Sequence, residues 1–290
     1  MFAAARLLAR RDQRFRRLPR LRVRSANAAL AFVQDVGICS TFYRFADGVP
    51  CLWEAVAGRT APRWPKHSHH DAAIGLTWRL KDDLPADRRV YYGKVLRGRP
   101  CLVALDLVPA LYALVRGRQR ARDYRMEYDA GRLTLNARRI MDALTAEHPQ
   151  YTRGLRASCF MLEARQTREF ERAMGELQQG LWVVKTEERY EPSFSYRWDL
   201  LEAWMPAAVA AGRRLSRAAA IERLVERYVR AAVFTRPVNL RRLFGVHTNE
   251  VTEAVRTLSA RGVMVDTQVA GWPGRWLVDR SARDSKRGMR

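Results

Sequence analysis

Residues Thr167 to Thr186 read TREFERAMGELQQGLWVVKT. Phe170, Ala173, Met174 and Leu177 fall at i, i+3, i+4 and i+7, the apolar stripe of a helix with one buried face. Gly180 stands where the stripe ends and is expected to stop the helix. Leu181-Trp182-Val183-Val184 then switches to a β-rich run. A polar turn containing Pro192 leads to a second such run, Phe194-Ser195-Tyr196-Arg197-Trp198. Helix, glycine, strand, turn and strand make the back half of a winged helix-turn-helix.

The pattern recurs in Thr248 to Thr267, TNEVTEAVRTLSARGVMVDT. Its stripe is Val251, Ala254, Val255 and Leu258, each 81 residues after its counterpart in the first copy. Gly262 ends this helix, Val263-Met264-Val265 is the strand, and Gly271-Trp272-Pro273-Gly274 turns the chain into Arg275-Trp276-Leu277-Val278. A supersecondary unit repeated at fixed spacing marks a tandem architecture.

A chain of 290 residues, 48% of them apolar, has room for two or three small domains with cores. Cys39, Cys51, Cys101 and Cys159 show no C-x-x-C pairing, so reduced, buried thiols are expected. The longest apolar run, Leu102 to Val115, is broken by Asp106 and Pro109 and is too short to span a bilayer. A cytoplasmic, nucleoid-associated protein without a membrane partner is therefore expected. The net charge is +23. Residues 1–24 hold nine arginines and one aspartate, and the segment from Asp279 adds +3, which leaves +12 on the body. A basic body built of winged helices points to double-stranded DNA, whose binding is driven by phosphate neutralisation.

Taken in order, residues 1–24 read as a basic disordered arm on DNA, with a mis-assigned start and an organelle presequence as the competing readings. Ser25 caps a helix over Ala26 to Val36 that Gly37 ends. A short helix, Leu52 to Ala57, a polar loop and a helix from Asp71 to Asp83 closed by Pro85 follow. Two alternating runs, Val90 to Val95 and Cys101 to Leu105, are joined through Arg97-Gly98-Arg99. This makes an N-terminal winged-helix-like unit that, with helix Leu107 to Val115 and a basic linker from Arg116 to Arg125, fills 25–125. The middle winged helix takes 126–212, with Ile140, Met141 and Leu144 in its first helix. The C-terminal one takes 213–278, capped by Ser216, and 279–290 reads as a disordered tail. The fold class is mainly α with small β-hairpin wings: tandem winged helices, three of them.

Winged helices bind duplex DNA through the third helix and the wing. Here the third helices mix signs, with Glu169, Glu171 and Glu176 beside Arg168 and Arg172, and Glu250 and Glu253 beside Arg256. Phosphates would repel those carboxylates, so phosphate contacts are expected elsewhere. Lys94, Arg97 and Arg99 cluster at the first hairpin tip, and Arg241 and Arg242 lie on the last unit's second helix. Arg165 and Arg168 flank the start of the middle unit's third helix, where backbone amides favour anions, and Arg256 and Arg275 complete the set. Trp78, Lys81 and Asp82 share one helix face, with Glu54 on the helix before. Trp78 stacking on a base, with Lys81 as a further DNA-binding residue and Asp82 activating a water, is one reading; a buried tryptophan over a Lys–Asp surface pair is the other. His67, His69, His70 and Asp71 crowd a Pro-flanked loop and read as solvated, so no metal is expected. No phosphate-binding glycine loop, catalytic serine elbow or other cofactor motif occurs, and no small-molecule ligand is evident.

Four stretches carry a family resemblance: Leu52 to Arg59 (LWEAVAGR), Trp78 to Pro85 (WRLKDDLP), Tyr91 to Arg99 (YYGKVLRGR) and Glu176-Leu177-Gln178. Over roughly residues 25–278 the chain resembles the winged-helix proteins related to the AlkZ/YcaQ DNA glycosylases, which unhook interstrand crosslinks and excise bulky alkylated bases. The resemblance is nearer to the AlkZ-related branch than to the characterised glycosylases. It implies tandem winged helices arranged as a C around duplex DNA, and a Gln-x-Gln or Gln-x-Asp motif that positions a water and stabilises a cationic sugar. The nearest match is Gln34-Asp35, adjacent rather than separated by one residue. On a helix, neighbours point about 100° apart, so convergence would need unwinding toward Gly37. The expectation is a monomeric DNA-repair protein recognising damaged or distorted duplex. Hydrolysis of N-glycosidic bonds is its open enzymatic step, with Gln34, Asp35, Glu54 and Asp82 as the catalytic candidates. The alternative is a non-catalytic DNA-binding regulator or architectural protein.

Overall fold

The computed structural model describes residues 2–282, which form a mixed α/β chain, mainly helical with three small sheets. Strand β1 (Phe2–Ala3) and helix α1 (Ala4–Arg14) come first. Then follow α2 (Ala26–Val36), β2 (Ile38–Ser40), α3 (Leu52–Ala57), α4 (Ala72–Ala86), β3 (Tyr91–Leu96) and β4 (Arg99–Val103). Helices α5 (Val108–Val115) and α6 (Tyr124–Asp129) lead to α7 (Leu135–Ala146), β5 (Gln150–Tyr151), α8 (Thr152–Ser158), α9 (Thr167–Gln179), β6 (Val183–Arg189) and β7 (Ser195–Leu200). Helices α10 (Leu201–Trp204) and α11 (Pro206–Arg214) connect to α12 (Arg217–Ala232), β8 (Phe234–Thr235), α13 (Pro237–Phe244), α14 (Thr248–Ala260), β9 (Met264–Ala270) and β10 (Arg275–Asp279). Helix, short strand, helix, helix and hairpin thus occur three times. The strand order is the same each time, β2-β4-β3, β5-β7-β6 and β8-β10-β9, with β1 added in parallel beside β9.

The repetition extends to the helix ends. The first helix of each unit starts at a hydroxyl cap: Ser25, Thr134 and Ser216 accept from the amides of Ala28, Ala137 and Ala219 at 3.2, 3.3 and 3.1 Å. Each satisfies an amide that the first turn would otherwise orphan. The third helices end alike in paired bonds from two successive amides, the first to a carbonyl three residues back and the second to one five residues back. The donors are Arg88 and Arg89, Leu181 and Trp182, and Gly262 and Val263. The motif needs a left-handed residue, supplied by Arg88 (φ 55°), Leu181 (φ 54°) and Gly262 (φ 71°). Gly180, expected as the stop, is right-handed at φ −75°, so Leu181 is the true counterpart of Gly262. Pro85, expected to close α4, lies inside its last turn instead, where the amide it lacks costs a single bond. Arg97 (φ 50°) and Gly98 (φ 70°) make a two-residue primed turn, and Arg99 already belongs to β4.

The arm expected to be disordered is not. Residues 2–14 form β1 and α1, and Leu7 packs with Val233, Phe234, Val269 and Val278 of the last unit. Arg11 lies 3.4 Å from the Phe234 ring centroid and donates to the carbonyls of Ala232, at 2.6 Å, and Phe234. Phe15 is fully buried, and Arg17 reaches Glu54 of α3, so the segment ties the first unit to the last. Of the expected tail, Asp279 ends β10 and residues 280–282 form a single turn; 283–290 lie outside the described residues.

At the centre, Leu111 and Tyr112 of α5 share one core with Tyr91, Leu96 and Cys101 of the first hairpin and with Ile221, Leu224 and Val225 of α12. The middle unit has its own core around Ile140, Met141, Phe170, Leu177 and Trp198. Phe32, Val33, Leu52, Leu80 and Leu84 form the first unit's. The basic linker begins with a packed residue: Arg116 lies 2.9 Å over the Trp182 ring, and burial lowers its pKa to about 10. The four cysteines are free and buried. No described helix is long and apolar enough to cross a membrane.

Candidate nucleic-acid interface

The catalytic candidates do not converge. Helix α2 runs without unwinding through Val36, so Gln34 and Asp35 project in different directions, both exposed. Asp35 lies 3.5 Å from Arg14, and the Gln34 carbonyl accepts from Arg227 of α12 at 2.6 Å. Glu54 is 1% exposed and accepts from Arg17 Nε at 2.9 Å, Arg17 Nη2 at 2.6 Å and the Ala61 amide at 2.8 Å. A carboxylate so enclosed and paired is a structural anchor with no face left for water.

Lys81 and Asp82 also depart from expectation. Lys81, a DNA-binding candidate beside Trp78, is 3% exposed, and its ammonium pairs with Asp82 and, at 2.7 Å, with Glu188 of β6. Lys185 of β6 pairs with Glu188 and lies 3.6 Å from Asp82. Two lysines and two carboxylates, brought together from α4 and β6, thus close a largely buried knot between the first and middle units. Burial would lower Lys81, but the hydrogen bonds of Asp82 and Glu188 outweigh it and raise its pKa. Burial, reinforced by the charge of Lys81, lowers Lys185 to about 8. Burial opposes the charge on Glu188 too, yet the hydrogen bonds of Asp82 and the lysines, with the Lys185 charge, hold it down to about 2. Asp82, buried beside that charge, is held up. The second carboxylate oxygen of Asp82 accepts from Tyr190 at 2.9 Å.

Above the knot the surface is aromatic. Trp78, 46% exposed, packs at 4.9 Å from Phe42, which also meets Trp64 at 5.7 Å and Trp53 at 6.0 Å. Trp64 is 54% exposed. Arg63, Lys66 and Arg79 are exposed beside these rings in the sequence. Rings with open faces among cations are what unpaired or distorted bases stack on. Trp78 was legible on the α4 face; Phe42 and Trp64 were not, because loops have no periodicity. The available signal was an aromatic beside a basic residue, Phe42-Tyr43-Arg44 and Arg63-Trp64-Pro65-Lys66.

The expected phosphate contacts divide into free and paired. Arg168, Arg241 and Arg242 are exposed, without a carboxylate partner among the described residues. Arg99 lies 4.3 Å over Tyr43. Arg97 pairs with Asp47 at 3.1 Å, Arg165 with Glu163 at 2.5 Å, Arg256 with Glu253 at 2.5 Å and Arg275 with Asp266 at 2.9 Å. Asp71 caps α4 by accepting from the Ile74 amide at 2.8 Å. Among the described residues no group of His, Cys, Asp and Glu is placed to hold a metal.

Helix α9 keeps Arg168, Glu169, Glu171 and Arg172 exposed while its other face is buried. It packs against β3 of the first hairpin, and the Lys94 ammonium lies over Gly175, 3.6 Å from where a Cβ there would sit. Between α9 and that hairpin is a cavity of about 450 Å³, walled by Tyr92, Phe170, Met174, Tyr196 and Trp198.

No curated protein matches the sequence. In structure the chain is similar to the Streptomyces sahachiroi DNA glycosylase AlkZ, with a TM-score of 0.57 and 13% identity, over 98% of this chain and 71% of that one. At that identity the likeness is one of fold. A sequence profile described as "AlkZ related" matches residues 23–245, most of the length, and the chain belongs to the AlkZ-related family.

Proposed function

We propose that this protein is a tandem winged-helix protein that binds double-stranded DNA in repair, recognising damaged or distorted duplex. The thrice-repeated helix–strand–helix–helix–hairpin order, with its common strand order, supports reading the three units as winged helices. A C-shaped arrangement of a monomer around the duplex, close to the nucleoid, accords with it. The observation that carries the proposal is the ring cluster of exposed Trp64 and Trp78 joined through half-buried Phe42, with Arg63, Lys66 and Arg79 exposed and next to those tryptophans in the sequence. Such a surface gains little from regular duplex, whose bases are stacked on one another, and more from bases already displaced. Membership of the AlkZ-related family and the fold likeness to a DNA glycosylase support the same reading.

Base excision is the enzymatic form of this function, and one observation favours a non-catalytic regulator or architectural protein beside it. Glu54 and Asp82 are held by Arg17 and Lys81, and Gln34 and Asp35 point apart. Asp35, the most open carboxylate of the set, is the one to test, because a carboxylate beside a developing sugar cation stabilises the transition state more than the ground state. The experiment is incubation with alkylated and with crosslinked duplex, followed by assay for released base and for retained binding. Base release that Asp35→Ala abolishes, with binding kept, establishes excision. Tight binding with no release establishes the non-catalytic form, and absence of both overturns the proposal.

A further inference from the structure

We infer that the cavity between α9 and the first hairpin is a receiving pocket for a single nucleotide extruded from DNA. The inference rests on the DNA-binding proposal and names a site within it. About 450 Å³ falls in the range of pockets that enclose a small ligand. One wall is a column of rings packed edge to face: Phe194 and Tyr196 at 4.9 Å, Tyr196 and Trp198 at 5.7 Å. Phe170 and Met174 of α9 and Tyr92 of β3 stand in the other walls. A slot between rings and a thioether suits a flat aromatic group.

The polar groups fit a nucleotide better than a plain hydrocarbon. Gln178 is 94% buried by its exposure of 6%, and its Nε2 donates to the Met174 carbonyl at 3.2 Å. Its Oε1 accepts no hydrogen bond among the described residues and is left for the edge of a base. Lys94 has no carboxylate partner among the described residues, and Arg156 spends its hydrogen bonds on the carbonyls of Met161 and Glu163 and on Thr167. The positive charge of both is therefore unneutralised, against one exposed carboxylate, Glu171. Lys185 also lines the pocket, but its charge is balanced by Glu188. A base with a phosphate attached satisfies the rings, the amide oxygen and the cations together. The hairpin that bears Lys94 also bears Arg97 and Arg99, so a strand held at its tip delivers its displaced nucleotide beside the pocket mouth. Extrusion costs a few kcal/mol, least where the base is mismatched or damaged.

The test is photocrosslinking of the full chain to a duplex carrying one 5-iodouracil opposite a mismatched base, with the attached peptide mapped by mass spectrometry. Attachment to Tyr92, Phe194 or Tyr196 is expected. Lys94→Glu and Phe194→Ala, changed one at a time, should each reduce it at least tenfold with melting unchanged, Phe194 being 54% exposed. Duplex that binds but crosslinks only outside the cavity overturns the inference and leaves the DNA-binding proposal standing. Duplex that fails to bind overturns both. Free thymidine monophosphate protecting Tyr196 from iodination, while bound duplex does not, would show a pocket for free nucleotides and overturn extrusion.

Discussion

Lys81 of α4 and Glu188 of β6, 107 residues apart in the chain, meet at 2.7 Å with both side chains almost fully buried. This bond, with Asp82 and Lys185 on either side, fixes the first unit against the middle one beneath the tryptophan platform. Burying charges is costly and is tolerated here because each ammonium finds a carboxylate. Removing one partner leaves an uncompensated buried charge. Glu188→Gln should therefore lower stability by about 3–5 kcal/mol, whereas Lys81→Met with Glu188→Leu should cost much less than the single change. Chemical denaturation of the three proteins checks this; a harmless Glu188→Gln would mean the knot is not closed.

The same carboxylate sets a pH dependence. Glu188 is held at about 2 against an ordinary 4.5, so the unfolded chain takes up its proton first as the medium acidifies. Its contribution is complete above about pH 4.5 and is lost as pH falls through 2. Lys185, lowered to about 8 from 10.5, acts on the alkaline side: its burial penalty is full below pH 8 and is relieved as pH rises toward 10.5. Melting temperature against pH should show a shallower acid limb for Glu188→Gln than for the parent. Coincident slopes would contradict the assignment.

The N-terminal segment is structural. Leu7, 1% exposed, fills a core built by the last unit, and Leu7→Ala should cost about 2–5 kcal/mol. Deleting residues 1–15 should lower the melting temperature as well, by uncovering Phe234 and Val269. An unchanged melt after deletion would return the segment to the status of a loose basic arm.

Gly37 stands where two requirements coincide. Its φ of 80° is unfavourable for other residues, and a Cβ there would overlap Arg227 Cγ and come within 2.7 Å of Leu107 Cδ1. Gly245 also has a positive φ, 63°, in the αL region, but faces open space. Gly245→Ala should cost about 1–2 kcal/mol and Gly37→Ala distinctly more, measured by urea unfolding. Equal costs would show that the approach of α12 to α2 is loose.

How much of this was legible in the sequence depends on how local each feature is. The stripes on α9 and α14, the caps Ser25 and Ser216 and the hairpins were readable, because period and capping act within a few residues. The left-handed position at Leu181 was not: a glycine one residue earlier gave the stronger local signal, and burial of Leu181 at 2% exposure overrode the backbone preference. Arg11 read as solvated charge since nothing near it in sequence announces Phe234. Lys81 read as a surface lysine for the same reason, its partner Glu188 lying in another unit. Charge count alone could not separate arginines holding the fold, such as Arg11, Arg17 and Arg116, from those open to solvent, such as Arg168, Arg241 and Arg242.

The platform gives a prediction about affinity. Stacking on an aromatic side chain is worth about 1–3 kcal/mol per base. Trp64→Ala and Trp78→Ala should weaken binding to mismatched or bulged duplex by that amount, and binding to regular duplex much less. Gel-shift titrations on the two duplexes check this, with the melting temperature as a control for folding. Equal loss on both would remove the preference for displaced bases.

The most direct measurement is the equilibrium affinity of the purified protein for a regular and a mismatched duplex across a salt series. A DNA-binding protein of this charge should show log K falling by about 0.9 for each phosphate neutralised as log salt rises. The two duplexes should give parallel lines, with the mismatched duplex bound more tightly throughout. Absence of binding at low salt, or an affinity indifferent to salt, would contradict the DNA-binding function.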